Sequence, residues 1–551
     1  MKTKFYILVL MAAATLVSCE KMLDQQPYGQ FTSEQINAES VEGLIASSYA
    51  GLLSHLIGNN EAFSGPLTNW VFDVRSDDAL KGGDAVSMEA NIHQLETSVI
   101  TSDNATCQFK WMNDYWAIAR VHQAMNTINT TKPDNMDVIL GEMKTLRAFY
   151  YFDLIKVFER IPYYTETEDP NSKTAYEYSR DQIFSFIEQD LIDAIAVLPE
   201  APLQPGRFNK YAAAAIMTKV AAFRSNWDNV ITYADMIISS GRYELYPYFQ
   251  DMSRIANNNQ YESLVAAQHS TANNNMQINW SNLLNTTYSE GNVYGTGDDF
   301  FLASQNLVDA FRTDANGLPY LDNAPNTHVT ATYTDNLDVR LDLTVGRVGF
   351  LFRGNEYTDG WCRNKALYGE YSGKKWMVAP GECINGFPWG ASGLNFIFIR
   401  YADILLLKAE ALIEKNSDLA TAMDLINQVR TKAARSINES YVPQDIDLSR
   451  ANYKVGLYDD GTNCTWTQDY ARKAVRMERR LELAMEGHRW FDLVRWSNED
   501  PTYIINTMNN YYQYEVEFED YYNGAEMNAS ELFLPIPKSE TDKAPNLYTE
   551  G

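Results

Sequence analysis

Among its 551 residues the chain has only five cysteines and six histidines. No two histidines lie three or four residues apart and none lies within a few residues of a cysteine, so we expect no metal site and no cofactor. Beyond the N-terminal segment, Cys107, Cys362, Cys383 and Cys464 allow three disulfide pairings, or free buried thiols. Cys362 and Cys383 are the nearest pair in sequence and form the candidate disulfide.

Basic residues are also scarce, with 45 Lys and Arg against 72 Asp and Glu and a formal net charge of −27. Such a balance argues against nucleic acid and anionic lipid surfaces as partners. The acidic residues are spread along the chain rather than gathered in blocks, which is typical of a solubilising surface.

The common catalytic signatures G-x-S-x-G, H-E-x-x-H and the Walker loop are missing from the sequence. An S-x-x-K match at 372–375 and an S-D-N match at 102–104 stand in reversed order and lack a following K-T-G, so we interpret both as chance. A glycoside hydrolase needs only two carboxylates about 5 to 9.5 Å apart and has no obligatory motif. That enzyme class therefore stays open as an alternative.

The N-terminal segment has the order of an export signal, because Lys2 and Lys4 precede an apolar run from Phe5 to Leu16. The run is too short to span a membrane, since a transmembrane helix needs about 20 apolar residues. We predict a lipoprotein signal peptide over residues 1–18.

Directly after that apolar run, the sequence LVSC ends at Cys19 and resembles a lipobox. We predict that Cys19 carries a lipid and that residues 19–30 form a lipidated tether. The alternative is ordinary signal cleavage after Ala14, because three consecutive alanines also supply an A-x-A site.

From residue 31 onward no Pro-, Gly- or Ser-rich linker divides the chain, which predicts a single domain over 31–551. Amphipathic helical patterns occupy about 111–240 and 400–495, and their helix pairs recur at about 36 residues, as in tetratricopeptide repeats. The regions at about 60–108 and 250–395 lack this periodicity and predict long loops, which are usually functional.

Within the helical blocks, apolar residues at helical spacing predict individual helices. They cover residues 141–158, 181–198, 210–223, 402–415, 419–434 and, as one long final helix with Gly487 interrupting its pattern, 470–496.

Several segments together carry a resemblance to one family. They lie at 141–154, 206–208, 226–243, 400–406, 427–430, 478–493 and 534–537. The most specific is 478–493, which reads ERRLELAMEGHRWFDL. With these segments in order along nearly the whole chain, the protein resembles the SusD/RagB family.

The resemblance implies a mainly α SusD-like fold, in which a tetratricopeptide-like helical scaffold carries loop-rich insertions that form the ligand face. It also implies a non-catalytic, surface-exposed outer-membrane lipoprotein. Such a protein captures a glycan or another nutrient over a SusC-like TonB-dependent transporter. A binder of a peptide or other non-glycan nutrient is the alternative within the family.

The charged residues of the family motifs could be mistaken for an active site. They offer acid–base pairs at helical spacing, which more often form structural ion-pair networks than catalytic centres. We interpret the following residues as structural: Glu478, Arg479, Arg480, Glu482, Glu486, Arg489 and, at the start of another helix, Arg400 and Asp403.

A glycan site needs exposed aromatic rings for stacking and polar side chains for directional hydrogen bonds. One candidate set, supported by the resemblance because the family's ligand sites commonly draw on loops of the N-terminal half, comprises Trp70, Asp73, Arg75, Asp77 and Asp78. A second comprises Asn279, Trp280, Tyr288, Asn292 and Tyr294, and a third, lower-ranked option comprises Trp361, Trp376 and Trp389. The alternative for each aromatic residue is burial in the core.

Overall fold

The structure is a computed structural model that describes residues 38–53, 70–272, 278–282, 284–288 and 293–548. The predicted signal peptide, Cys19, its tether and Asn292 lie outside these residues. Across the described part of the chain, no helix is both long and apolar enough to cross a membrane.

Helices dominate the described residues. In chain order they are α1 (Ala38–Tyr49), α2 (Trp70–Val74), α3 (Ala90–Glu96), α4 (Ala105–Thr131), α5 (Met136–Ile155), α6 (Arg180–Val197), α7 (Lys210–Phe223), α8 (Trp227–Ser239), α9 (Gln305–Ala310), α10 (Arg340–Thr344), α11 (Lys365–Tyr368), α12 (Tyr401–Glu414), α13 (Leu419–Arg435), α14 (Gln468–Leu483), α15 (Arg489–Trp496), α16 (Tyr503–Glu515), α17 (Lys538–Lys543) and α18 (Pro545–Tyr548).

Across the described ranges, strands are few and short. They are β1 (Ala79–Gly82), β2 (Ser263–Ala267), β3 (Phe300–Ala303), β4 (Asn336–Leu337), β5 (Leu351–Phe352), β6 (Asn355–Glu356), β7 (Phe396–Arg400) and β8 (Asn452–Tyr453). They form four two-stranded sheets: β1 with β3, β2 with β7 and β5 with β6 are antiparallel, and β4 with β8 is parallel. The mainly α fold expected from the sequence is confirmed.

The predicted helices form where apolar periodicity and N-terminal caps coincide. The side chain of Asn104 accepts hydrogen bonds from the first turn of α4, and Asn209 does the same for α7. Ser179 and Gln182 form a reciprocal capping box on α6. Helix α7 coincides with its predicted bounds, and most of the other predicted helices differ from theirs by a few residues.

The prediction of one long final helix is wrong, because α14 and α15 are separate. The backbone between them takes positive φ angles at Met485 and Gly487, of 60° and 81°. Lys375 donates to the carbonyls of Glu482 and Ala484 at 2.8 and 3.0 Å, which satisfies groups that a continuous helix would have used internally. The break therefore forms where a distant side chain replaces helical hydrogen bonds.

Successive helices from α4 to α8 pack against one another, and α12 packs on α8, α13 and α14. The alanines of α7 are all buried, which allows close approach of its neighbours. Between α8 and α12, the described residues contain no helix longer than six residues. This agrees with the predicted loss of helical periodicity over 250–395, and it leaves long connections on the helical scaffold.

Candidate functional site

The first candidate set is buried, and the structure contradicts its assignment to a ligand surface. Trp70 and Asp77 are 3% exposed, and Asp73, Arg75 and Asp78 are fully buried. None of these side chains presents a surface on which a sugar ring could stack or to which its hydroxyls could bind.

These acidic residues instead accept hydrogen bonds from α14, from α15 and from the segment that joins the two helices. Asp73 accepts from the backbone N–H of Gly487 at 2.7 Å, and burial together with nearby Asp78 raises its pKa. Asp77 binds the guanidinium of Arg489 through both carboxylate oxygens, at 2.7 and 2.8 Å. The set therefore fixes α2 and the residues after it to the family motif.

The remaining members of that set have the same structural role. Arg75 lies over the ring of Trp490, with its Cζ 4.0 Å from the centroid. Asp78 accepts from Nε of Arg480 at 2.7 Å, and the Trp70 ring packs 5.3 Å from Phe301. A glycan site over these residues would require the core to open.

The interpretation of the family-motif charges as a structural network agrees with the contacts. Arg400 binds Glu486 at 2.9 Å, Glu482 at 2.6 Å and Glu262 at 2.9 Å, and all four side chains are at most 1% exposed. Arg340 and Arg430 both bind Glu478. Because every carboxylate in this network has a cationic partner, none is available to act on a ligand.

The network has clear electrostatic consequences. Burial by itself raises the pKa of Glu486, but Arg400 and Lys375 outweigh it and lower that pKa to about 2. Burial lowers the pKa of Lys375 to about 8, against the opposite effect of Glu486. The carboxylate is therefore ionised at neutral pH and serves as a permanent counter-charge.

The second candidate set divides into buried and partly exposed residues. Tyr294 is 4% exposed and donates its hydroxyl to the Val378 carbonyl at 2.8 Å, so it belongs to the interior. Asn279 is buried and donates to the Leu394 carbonyl at 3.0 Å, so it pins two loops together. Trp280 and Tyr288 are partly exposed and remain candidates.

The most exposed large apolar side chain of this region, Phe387, lies in a neighbouring loop over residues 384–391. A hydrogen bond from Ile384 N to Ala391 O at 2.9 Å closes the loop. At its tip the Phe387 side chain is 70% exposed, and Trp389 is partly exposed. Trp389 was only a lower-ranked option from the sequence and Phe387 was not named, although two aromatic residues between glycines are a signal for a loop tip.

Trp389 is held in place by close contact with a glycine of the second set's segment. A Cβ added to Gly295 would lie 2.3 Å from Cε3 of the tryptophan ring, so only glycine fits there. The carbonyl of Trp389 also accepts from Thr286 Oγ1 at 2.6 Å. The ring therefore has a fixed position while part of it stays exposed to solvent.

Polar groups lie beside Tyr288, two residues after the Thr286 that hydrogen-bonds Trp389. Arg363 places its Cζ 5.3 Å from the centroid of Tyr288 and forms an ion pair with Asp298, whose side chain is 37% exposed. We call the set Tyr288, Phe387, Trp389, Arg363 and Asp298 the aromatic surface. It combines stacking faces with hydrogen-bond donors and acceptors, which is the mixture that a sugar requires.

The other tryptophans of the third option are interior residues. Trp361 is 7% and Trp376 6% exposed, and Trp376 donates to the Met485 carbonyl at 2.9 Å. Cys362 and Cys383, the candidate disulfide, are free thiols in the structure, as are Cys107 and Cys464. The sulfur of Cys362 lies 3.4 Å from the Tyr357 hydroxyl and that of Cys383 lies 3.6 Å from the Gly390 carbonyl, so each thiol has its own packing site.

Acidic groups with raised pKa values also occur away from the network. Burial raises the pKa of Asp299 to about 6, and this carboxylate accepts from Ser372 Oγ at 2.5 Å and from Arg363 N at 2.9 Å. Asp299 is 1% exposed.

Over the described ranges, no group of three or more His, Cys, Asp or Glu is arranged to hold a metal ion.

Comparison with known proteins places the whole chain in context. The sequence model of the SusD family matches residues 259–550. A second model of SusD-like proteins, described as "Starch-binding associating with outer membrane", matches residues 21–221. SusD-like protein P38 of Formosa agariphila is 24% identical over 515 residues, covering 89% of this chain and 90% of that protein.

Solved structures show the same fold. A SusD-like carbohydrate-binding protein from Bacteroides fragilis has a TM-score of 0.71 at 20% identity, covering 93% of this chain and 99% of that one. A laminarin-binding SusD-like protein has a TM-score of 0.67 at 20% identity, covering 92% of this chain and 98% of that one. From the family model that matches more than half of its length, the chain belongs to the SusD family.

Proposed function

We propose that this protein is a non-catalytic, cell-surface lipoprotein that binds a glycan and delivers oligosaccharide to a SusC-like TonB-dependent transporter in the outer membrane. The observation that carries the proposal is the aromatic surface, where Phe387 and Trp389 offer exposed rings on one loop and Arg363, paired with Asp298, lies against the Tyr288 ring. Two relatives of the same fold are named for carbohydrate or laminarin binding, which supports a glycan as ligand.

Binding on this surface follows from the shape of a pyranose ring. Its C–H groups form a flat apolar face that stacks on an aromatic ring, and its hydroxyls require directional partners. A tryptophan fixed against Gly295 loses little side-chain freedom when a sugar binds, so more of the contact energy is available for affinity.

A comparison of aromatic variants tests the site. We expect the double variant Phe387→Ala/Trp389→Ala to lose about tenfold or more in affinity for a glycan that the wild type retains on a polysaccharide affinity gel. Tyr176→Ala, which removes another exposed ring, 36% exposed, serves as the matched control and should bind as the wild type does. Equal retention of all three proteins would contradict this location.

The same polysaccharide panel separates a binding protein from a glycosidase. Incubation of the mature chain with each retained polysaccharide should release no reducing ends over hours. Steady product release at a rate proportional to protein concentration would favour the enzyme. Retention of peptides in place of every polysaccharide would favour a peptide binder.

We also propose that a lipid on Cys19 anchors the protein to the membrane and that residues 19–30 are its tether. Two or more acyl chains would make such attachment stable. Cys19→Ala should release a folded protein that still binds the glycan into the soluble fraction. Persistence of this variant in the membrane fraction would contradict the anchor.

A further inference from the structure

A basic groove lies on the surface of α14, in a chain whose net charge is strongly negative. It has a volume of about 500 Å³ and is lined by five cationic side chains, of Arg472, Lys473, Arg476, Arg480 and Arg489. Asp469 is the single carboxylate among the described residues that line it. The family motif contributes Arg480 and Arg489, and the other three cations come from the preceding part of α14.

The helix itself brings these cations together. Residues 472, 473, 476 and 480 are spaced so that their side chains share one face of α14. Three of the five described carboxylates paired with the cations of the groove lie beneath it, since Glu414 is 6% exposed and Asp77 and Asp78 are buried, whereas Asp469 and Asp322 are exposed. The groove therefore has cationic side chains above three buried carboxylates, with Asp469 and Asp322 as the exposed partners.

Arg476 distinguishes this groove from an ordinary set of surface ion pairs. Its Cζ lies 4.9 Å from the Trp496 ring and 5.0 Å from the Tyr503 ring, which hold the guanidinium in place. Its nearest carboxylate oxygen, on Glu414, is 3.8 Å away, its side chain is 20% exposed, and within the described part of the chain its buried Nε has no hydrogen-bond partner. Arg472 instead binds Glu414 at 2.8 Å.

A guanidinium that is held by rings and keeps free donors is suited to a planar or tetrahedral anion. Carboxylate and sulfate accept two parallel N–H bonds from arginine, and the donor geometry needs no rearrangement when it is fixed beforehand. Lys473, whose side chain is 51% exposed, adds a further cation at the edge of the groove, where it forms an ion pair with the exposed Asp322. The groove thus has one rigid cation and further cations around it.

We propose that this groove is an anion-binding site that takes the carboxylate or sulfate groups of an acidic oligosaccharide. The site is separate from the aromatic surface, and its assignment to a glycan rests on the proposed function. Aromatic rings and hydroxyl partners are sufficient to bind a neutral sugar. The cationic side chains of the groove are therefore the observation that indicates an acidic ligand.

Isothermal titration of the full mature chain tests the proposal with three probes. They are an oligogalacturonate, a neutral gluco-oligosaccharide of the same length, and vesicles that contain phosphatidylglycerol. We expect the wild type to bind the oligogalacturonate at least tenfold more tightly than the neutral oligomer at low salt, with the difference falling as salt is added. Stronger binding to the vesicles than to the oligogalacturonate would overturn the assignment to a glycan.

Variants locate the binding. Arg476→Gln should weaken oligogalacturonate binding about tenfold and leave the neutral oligomer unaffected, and Lys473→Gln, at an exposed position, should weaken it about threefold without risk to the fold. Arg242→Gln removes an arginine outside the groove whose side chain is 44% exposed, and it should change the affinity for neither oligosaccharide. If Arg476→Gln and Arg242→Gln bind the oligogalacturonate equally, the groove is not the site.

The two proposals fail in different ways. If the protein binds no neutral glycan, the aromatic surface is not a glycan site. Titration with the oligogalacturonate then still tests the groove independently. Neutral binding without any preference for the acidic probe would overturn only the groove.

Discussion

The segment 478–493 and the loop 384–391 are opposites in burial and in what they contact. The first contains the family's most recognisable motif, and its charged residues mostly lie in a buried network. The second has no motif, and Phe387 at its tip is 70% exposed. The comparison teaches that the sequence pattern that identifies the family maintains the fold, whereas the surface suited to a ligand lies where the pattern is absent.

The largest effect is expected in the buried network. Glu486→Gln leaves Arg400 and Lys375 without a full counter-charge in a site from which water is excluded. We expect the free energy of unfolding to fall by about 4 kcal/mol, measured by urea denaturation. The matched control, Asp542→Asn, breaks an exposed pair with Lys538 and should cost less than about 1 kcal/mol.

The same carboxylate gives a pH-dependent result. Its pKa is about 2 in the folded protein and 4.5 as its ordinary value, so its stabilising contribution is present above about pH 4.5 and is lost as the pH falls towards 2. The wild type should lose stability across this window more steeply than Glu486→Gln does. Parallel pH profiles of the two proteins would contradict the role of this charge.

Trp70→Ala tests whether a residue that the sequence predicted to bind a ligand is instead part of the core. Removal of a ring that is 3% exposed should lower the free energy of unfolding by about 3 kcal/mol. The fraction that remains folded should bind glycan as tightly as the wild type in isothermal titration. Unchanged stability together with weakened binding would restore Trp70 to the ligand site.

Gly295→Ala should act on the aromatic surface through Trp389. The added Cβ would lie 2.3 Å from the ring, and φ at this position is +89°, so both the ring and the backbone must move. Gly461→Ala is the control, since its φ is +76° with no atom within 4 Å of an added Cβ. Both variants should lose about 1 kcal/mol of stability from the backbone, and Gly295→Ala alone should lower glycan affinity.

The smallest effect is expected on treatment with a reducing agent. Because Cys362 and Cys383 are free, dithiothreitol should leave the unfolding temperature unchanged, and all four described cysteines should react with a thiol reagent in denaturant. A fall in the unfolding temperature on reduction would reveal a disulfide, since such bonds typically contribute about 2–4 kcal/mol.

The sequence was sufficient for the helices because their signals are local. Apolar residues at helical spacing, with caps such as Asn209, predicted α7 to the residue. The break after Leu483 was missed because it depends on Lys375, which lies more than a hundred residues away in the chain. Local periodicity contains no information about such a partner.

The site was less predictable for the same reason. A charged residue such as Asp77 is usually found on the surface. It is buried here because it pairs with Arg489, which lies 412 residues further along the chain. The loop tip shows the opposite case, because phenylalanine is usually a core residue and Phe387 is exposed. Burial depends on contacts between distant segments, which residue type alone cannot supply.

Hydrogen–deuterium exchange of the wild type with and without a bound neutral glycan tests the central claim most directly, because it reads both regions in one experiment. We expect slower exchange on binding in peptides that cover 284–299 and 384–395, and unchanged exchange in those that cover 70–78 and 478–493. Slower exchange confined to 70–78 and 478–493 would contradict the placement of the ligand on the aromatic surface.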